Sequence, residues 1–190
     1  MKKIIIAIDS FKGCLTSAEA GKAAEKGIKS INPSCHTSVI PIADGGEGLL
    51  DVLITATKGK YITLSAHGPL MKMAKTHYGL SGNGRTAIIE MAAISGLPLV
   101  PIEQRNPMLT TTFGTGELIK DALNKGCRNF IIGIGGSATN DAGLGMLQAL
   151  GFRFLDKSGH TLGTGGQIME AVANICLLYT SPSPRDRQKS

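Results

Sequence analysis

At 190 residues, with 42% hydrophobic and 18% charged side chains, the chain has enough apolar material for a sizeable core, which excludes wholesale disorder. Its formal net charge of +6 comes with no dense basic run and no basic–aromatic interleaving, so nucleic acid is not an expected partner and anionic small molecules match better. No run approaches a membrane span, Asp9 interrupts the N-terminal apolar run too early for a signal peptide, and the four cysteines form no CxxC pair; a reduced cytoplasmic protein is expected.

Strand-like and helix-like stretches alternate along the chain. Residues 3–8 are a β-branched run. Thr16 and Glu19 have capping-box spacing and open a helix that runs to about Ser30. A second strand, 36–43, meets "DGGEG" and a helix over 48–57. "ELIKDALNKG" reads as a helix closed by Gly126, followed by a strand at 130–134, a helix at 141–150 and a strand at 152–156. This alternation predicts an α/β fold, a Rossmann-like, mostly parallel sheet with helices on both faces. The middle departs from it. Residues 61–64, 72–80 and 86–91 alternate as short antiparallel strands with Gly82-Asn83-Gly84 as a hairpin turn, so a small β-rich inserted subdomain is expected over about 61–98. "GGQIMEAVANI" reads as a helix. The last stretch, 176–190, has no periodicity, two Ser-Pro pairs and clustered charge; it is expected to be a disordered tail foreign to the globular region 1–175.

Four loops carry related chemistry. One holds Asp9, Ser10 and Lys12; the second, Asp44, Gly45, Gly46 and Glu47; the third, Thr110 to Thr112, Gly114, Thr115 and Gly116; the fourth, Gly135, Gly136, Ser137, Thr139, Asn140 and Asp141. Singly, each is satisfied by helix capping and turn geometry. Together, on the carboxyl edge of a parallel sheet, they form a pattern. Glycines let backbone N–H groups and helix N-termini face an anion, while a lysine and carboxylates beside them suit phosphate, Mg²⁺ and a hydroxyl substrate. Phosphoryl transfer is the leading chemistry. A P-loop is excluded because neither Gly-Lys pair precedes Ser or Thr, and Gly135-Gly136-Ser137-Ala138-Thr139 fails the GxSxG nucleophile elbow. The competing reading is an NAD(P)-binding oxidoreductase domain: Gly133, Gly135 and Ala138 satisfy G-x-G-x-x-A, and Asp156 ends the following strand. That reading leaves Asp9, Lys12, Asp44 and Glu47 unexplained.

"IAIDSFKGCLTSAEA", "PIADGGEG", "NPMLTTTFGTGELI" and "GIGGSATNDAGLGM", in that order and with "AIIEMAAISGL" between them, resemble the signatures of bacterial type I glycerate kinases, over about residues 2–175. Cys14, Leu49 and Ala142 depart from the usual motif residues. The resemblance implies ATP- and Mg²⁺-dependent phosphorylation of D-glycerate by a two-domain α/β protein longer than this chain, so the C-terminal part of the family fold is expected to be missing. A nucleotide-binding remnant without turnover is the other function class. The expected roles follow from the resemblance. Lys12 neutralises the transferring phosphoryl group, positioned by Ser10. Asp44 acts as base or Mg²⁺ ligand, and Asp9 or Asp141 supplies the other acid, with Mg²⁺ on Asp44 and Asp141. Gly45, Gly46, Glu47, Thr115, Gly116, Gly135, Gly136, Ser137 and Asn140 contact nucleotide or substrate, and Arg105 pairs with the glycerate carboxylate.

Overall fold

The structure, a computed structural model, describes residues 3–177. The chain divides into two compact units. One comprises residues 3–63, His77–Ala93 and Cys127–Gly136; the other comprises Leu64–Thr76, Ile94–Gly126 and the residues from 137 onward. The fold is α/β, as the alternation predicts.

In the first unit, β1 (Lys3–Ile8) pairs in parallel with β2 (His36–Pro41), in register from Lys3↔His36 to Ile8↔Pro41. Parallel strands need a crossover, and α1 (Ser17–Ile31) supplies it. Its capping box forms as read: Thr16 Oγ1 accepts from Glu19 N, and Glu19 Oε2 accepts from Thr16 N at 2.8 Å. A Cβ on Gly21 would strike Val39, so α1 lies close upon β2 at that point. α2 (Leu49–Thr57) follows, and its Leu50 and Ile54 form a core cluster with Ile88, with Leu53 packed against it.

β3 (Lys60–His67), β4 (Met73–Leu80), β5 (Thr86–Glu90) and β6 (Asn129–Gly133) form one sheet in that order. The Gly82–Gly84 turn is present: Ser81 N donates to Thr86 O at 3.0 Å, and β4 pairs antiparallel with β5. β5 then pairs in parallel with β6 from Thr86↔Asn129 to Glu90↔Gly133. The β-rich stretch therefore joins the sheet of β6 rather than closing on itself. Ala87, Ile88 and Ile89 are all fully buried, as a strand with neighbours on both sides requires.

In the second unit, α3 (Ala92–Ser95, which begins at the first unit's last residues) leads through two short 3₁₀ turns to α4 (Phe113–Asn124); α5 (Leu144–Ala149), β7 (Phe152–Leu155) and β8 (Asn174–Leu177) follow. Three expectations are corrected here. The stretch 165–175 is not one helix: a 3₁₀ turn, Gly166–Ala171, gives way to β8, which pairs antiparallel with β7. Cys176 and Leu177, expected in the tail, are the last residues of that strand, opposite Arg153 and Phe152; the rest of the expected tail, 178–190, lies outside the described residues. α5 opens at Leu144 and not at Asp141, because Ala142 (φ 50°) and Gly143 (φ 76°) both hold left-handed backbone.

Candidate active site

The first unit gathers two of the glycine- and acid-bearing loops and the glycines that open a third. β1 ends at Ile8, where Ser17 Oγ donates to Ile8 O at 2.5 Å and accepts from Ile42 N at 3.0 Å. One buried hydroxyl thus ties the ends of β1 and β2 together. Beyond β1, Asp9 Oδ1 accepts from Ser10 N at 2.6 Å, and a tight turn, with Gly13 at φ 74°, brings Leu15 back to Phe11. Beyond β2, Asp44 Oδ1 accepts from Gly46 N at 2.9 Å, which fixes the carboxylate on its own turn. Lys12 Nζ lies 3.8 Å from Asp44 Oδ2, and both side chains are mostly exposed, at 71% and 57%. An exposed pair at this distance contributes about 0–1 kcal/mol, so little free energy holds Lys12 to Asp44.

The glycines of two motifs serve each other. Gly135 N donates to Gly45 O at 3.0 Å. A Cβ on Gly135 would lie 2.6 Å from Gly46 Cα, and one on Gly133 would strike Gly45 O and Leu49. The loop after β6 and the loop after β2 pass so closely that only glycine fits.

Glu90, inside the quoted stretch "AIIEMAAISGL" but given no role there, closes this group. It is 7% exposed, and its Oε2 accepts from Gly48 N at 3.1 Å and Leu50 N at 3.2 Å, covering the orphan donors that open α2. Desolvation by burial pushes its pKa above the ordinary glutamate value; the two backbone donors pull it down, and the charges of Asp51 and Glu47 push it up. The available signal was a single acid ending the otherwise apolar run "AIIE".

In the second unit, Asp141 is 1% exposed and saturated with donors. Thr111 Oγ1 (3.1 Å), Thr112 N (2.8 Å), Thr112 Oγ1 (3.0 Å), Gly143 N (3.0 Å) and Gly145 N (3.2 Å) all reach it. Thr112 Oγ1 also accepts from Met146 N. Backbone and threonine donors thus occupy the carboxylate expected from sequence as an acid or Mg²⁺ ligand. Among the described residues, no three of His, Cys, Asp and Glu converge into a metal-holding group. Asp44 Oδ2 and the second oxygen of Asp9 remain open in the first unit. Mg²⁺ is usually held by one or two carboxylates together with waters and nucleotide phosphates, so the open oxygen of Asp9 fits its donor chemistry.

Thr115 and Gly116, expected to contact nucleotide or substrate, are both buried. Both lie inside the first turn of α4, Thr115 is fully buried with its hydroxyl 2.8 Å from Ser95 Oγ, and a Cβ on Gly116 would strike the Met146 backbone. They serve packing between α4 and α5. The loop 135–141 is divided between the units: Gly135 and Gly136 belong to the first, and Ser137 onward to the second. Ser137 and Thr139 are half-buried with their hydroxyls 2.6 Å apart, while Asn140 is exposed. Ser137 and Thr139 line a cavity of about 250 Å³ with Leu97, Val100, Arg105, Asn106, Pro107, Thr110 and Ala138.

The dinucleotide reading loses its local geometry. After Gly133 no helix opens until Leu144, whereas that fingerprint needs a helix N-terminus at its glycines. Asp156 is spent on its own turn, accepting from Ser158 N at 2.8 Å and His160 N at 2.9 Å; chiefly the His160 backbone bond holds its pKa below the usual aspartate value.

Residues 4–188 match the glycerate kinase family. A glycerate kinase of Bacillus subtilis strain 168 is 54% identical over 173 residues, 91% of this chain and 45% of the relative. A glycerate 2-kinase of Escherichia coli K12 is 47% identical over 97% of this chain and 48% of its own length. The crystal structure of a putative glycerate kinase 2 from Salmonella typhimurium LT2 superposes with a TM-score of 0.79 at 48% identity, covering 92% of this chain and 46% of that one. The chain thus spans about half the length of the curated relatives it matches, and nothing among these relatives supports an oxidoreductase. No helix among the described residues is long and apolar enough to cross a membrane. By the family match over residues 4–188 and the identities to these relatives, the chain belongs to the glycerate kinase family.

Proposed function

We propose that this chain serves the ATP-dependent phosphorylation of D-glycerate in the cytoplasm. The observation that carries the reading is the loosely held Lys12–Asp44 pair at the ends of β1 and β2, beside the interlocked glycine loops. Lys12 sheds Asp44 and neutralises charge on the phosphoryl group in transfer. Asp44, its Oδ1 fixed by Gly46 N, keeps Oδ2 to accept the proton of the attacking glycerate hydroxyl. Asp9 is the carboxylate that would hold Mg²⁺ with the nucleotide phosphates, where the ion supplies charge neutralisation. Gly135 keeps the loop backbone close to the Asp44 turn; Asp141 is a positioning residue that shapes the start of α5.

ADP release from MgATP, measured with and without D-glycerate beside a MgATP titration, tests this. Glycerate-dependent release supports turnover. Saturable nucleotide binding without release supports the narrower reading, a chain that binds nucleotide and does not turn it over. Neither binding nor release sinks the proposal.

A further inference from the structure

We infer that Glu90 is a positioning residue for the proposed phosphoryl transfer: from the end of β5 it holds the turn that aims Asp44 Oδ2. The assignment rests on the phosphorylation reading and adds a residue that acts through the proposed base. The route between the two is continuous and lies wholly within the first unit. Glu90 Oε2 accepts from Gly48 N at 3.1 Å and from Leu50 N at 3.2 Å. Leu49 N, between those two donors, donates to Gly46 O at 3.3 Å. Gly46 N in turn donates to Asp44 Oδ1 at 2.9 Å. The start of α2 is thus fixed from β5, and the last bond of the series sets the carboxylate of Asp44.

Capping of α2 alone does not account for this arrangement. A helix start commonly takes a side-chain oxygen from its own N-cap residue. Here the N-cap is Gly48, whose left-handed backbone (φ 91°) favours glycine and which carries no side-chain cap. The acceptor comes instead from a strand some forty residues on, as a carboxylate 7% exposed whose charge is opposed by those of Asp51 and Glu47. Burying an acid beside other acids is a costly way to satisfy two donors. It does what a local cap does not, because it ties the Asp44 turn to the sheet. Met91 N, next to Glu90, donates to Gly133 O at 2.9 Å, and Gly135 N donates to Gly45 O at 3.0 Å. The turn is therefore gripped at Gly45 from the loop after β6, and at Gly48 and Leu50 from β5, strands in register through Glu90↔Gly133. Only Gly46 and Glu47 lie between the two grips, so a release at Glu90 reaches the bond that orients Asp44.

The test combines amide hydrogen exchange with D-glycerate-dependent ADP release from MgATP, on the whole chain, for the wild type, Glu90→Met and Glu90→Gln. Methionine keeps the length and removes the acceptor, whereas glutamine keeps an amide oxygen for both N–H groups. Glu90→Met is expected to speed exchange about 10-fold or more at Gly46 as well as at Gly48 and Leu50, beyond any change at Ile88 and Ile89, which report global unfolding. Its kcat falls about 10- to 100-fold, the range for a misplaced reacting group, with KM for MgATP within about threefold of wild type. Glu90→Gln restores both readouts to within about threefold of wild type. Faster exchange confined to Gly48 and Leu50, or an unchanged kcat in Glu90→Met, overturns the assignment, leaves a helix cap and spares the phosphorylation reading. A Glu90→Gln protein as impaired as Glu90→Met also overturns it, marking a role for the charge itself. A wild type without glycerate-dependent release fails the phosphorylation reading instead, and exchange at Gly46 alone then upholds or overturns the hold on the turn. Should Glu90→Met lose its circular dichroism signature, Glu90→Asp, one methylene short of Gly48 N and Leu50 N, takes its place with the same expected results.

Discussion

Asp141→Ala is expected to cost the protein a large share of its stability. The buried carboxylate collects three backbone N–H groups, those of Thr112, Gly143 and Gly145, and two threonine hydroxyls. The hydroxyls rotate to other acceptors, but the backbone donors are fixed by the start of α5 and the approach to α4. Each buried donor left unpaired costs about 1–3 kcal/mol, so three of them give a loss of about 4 kcal/mol or more, in the exceptional range for one substitution. Asp141→Asn keeps the volume but turns an NH₂ toward at least one N–H donor, for a loss of about 2 kcal/mol. Urea denaturation followed by circular dichroism measures both, with Asp44→Asn as the exposed control expected within about 0.5 kcal/mol of wild type. A cost below about 1 kcal/mol for Asp141→Ala, or an Asp141→Asn protein more stable than wild type, refutes the positioning role. The second result is what an acid strained for metal binding would show.

Asp44→Asn removes the proposed base and is expected to lower kcat by about 10²- to 10⁴-fold while leaving KM for MgATP nearly unchanged; a kcat within threefold of wild type rejects that role. Glu90→Gln tests the buried acid through pH. Because burial raises the folded pKa above the ordinary 4.5, the folded state holds the proton more tightly than the unfolded one. The desolvation cost is therefore absent below that ordinary value and grows as pH rises through the raised one. Wild-type stability relative to Glu90→Gln should fall as pH rises above the ordinary value of 4.5 and level off once the raised one is passed, and a flat or rising difference contradicts the account. Gly135→Ala puts a Cβ 2.6 Å from Gly46 Cα, backbone that cannot swing aside. A loss of about 1–3 kcal/mol is expected, with faster amide exchange at Gly135; unchanged exchange there counts against the loop interlock.

The elements with local signals were legible. The capping box Thr16/Glu19, the β-branched run of β1 and the Gly82–Gly84 turn each announce themselves within a few residues, and each forms as read. What escaped depends on distant partners. "GGQIMEAVANI" is composed of helix formers, yet pairing with β7 makes its end a strand. Asp141 looks like a helix-start acid, and only the threonines some thirty residues earlier reveal why it is buried. Gly135 suggests an anion cradle from sequence, whereas its tightest neighbours are Gly46 and Gly45, reached across the fold. Glu90 lies in a quoted stretch but was given no role, because its partners, Gly48 and Leu50, lie some forty residues away. Lys12 and Asp44, on loops that follow adjacent parallel strands, were the part of the site that the βαβ pattern brings together by itself.

The central claim is that phosphoryl transfer is directed to a glycerate hydroxyl. Phosphorus NMR of the chain incubated with MgATP and D-glycerate tests it most directly. The account predicts a phosphoglycerate resonance that grows with ADP and disappears when glycerate is replaced by glycerol. ATP consumed to inorganic phosphate at the same rate with and without glycerate, with no phosphoglycerate signal, would contradict it.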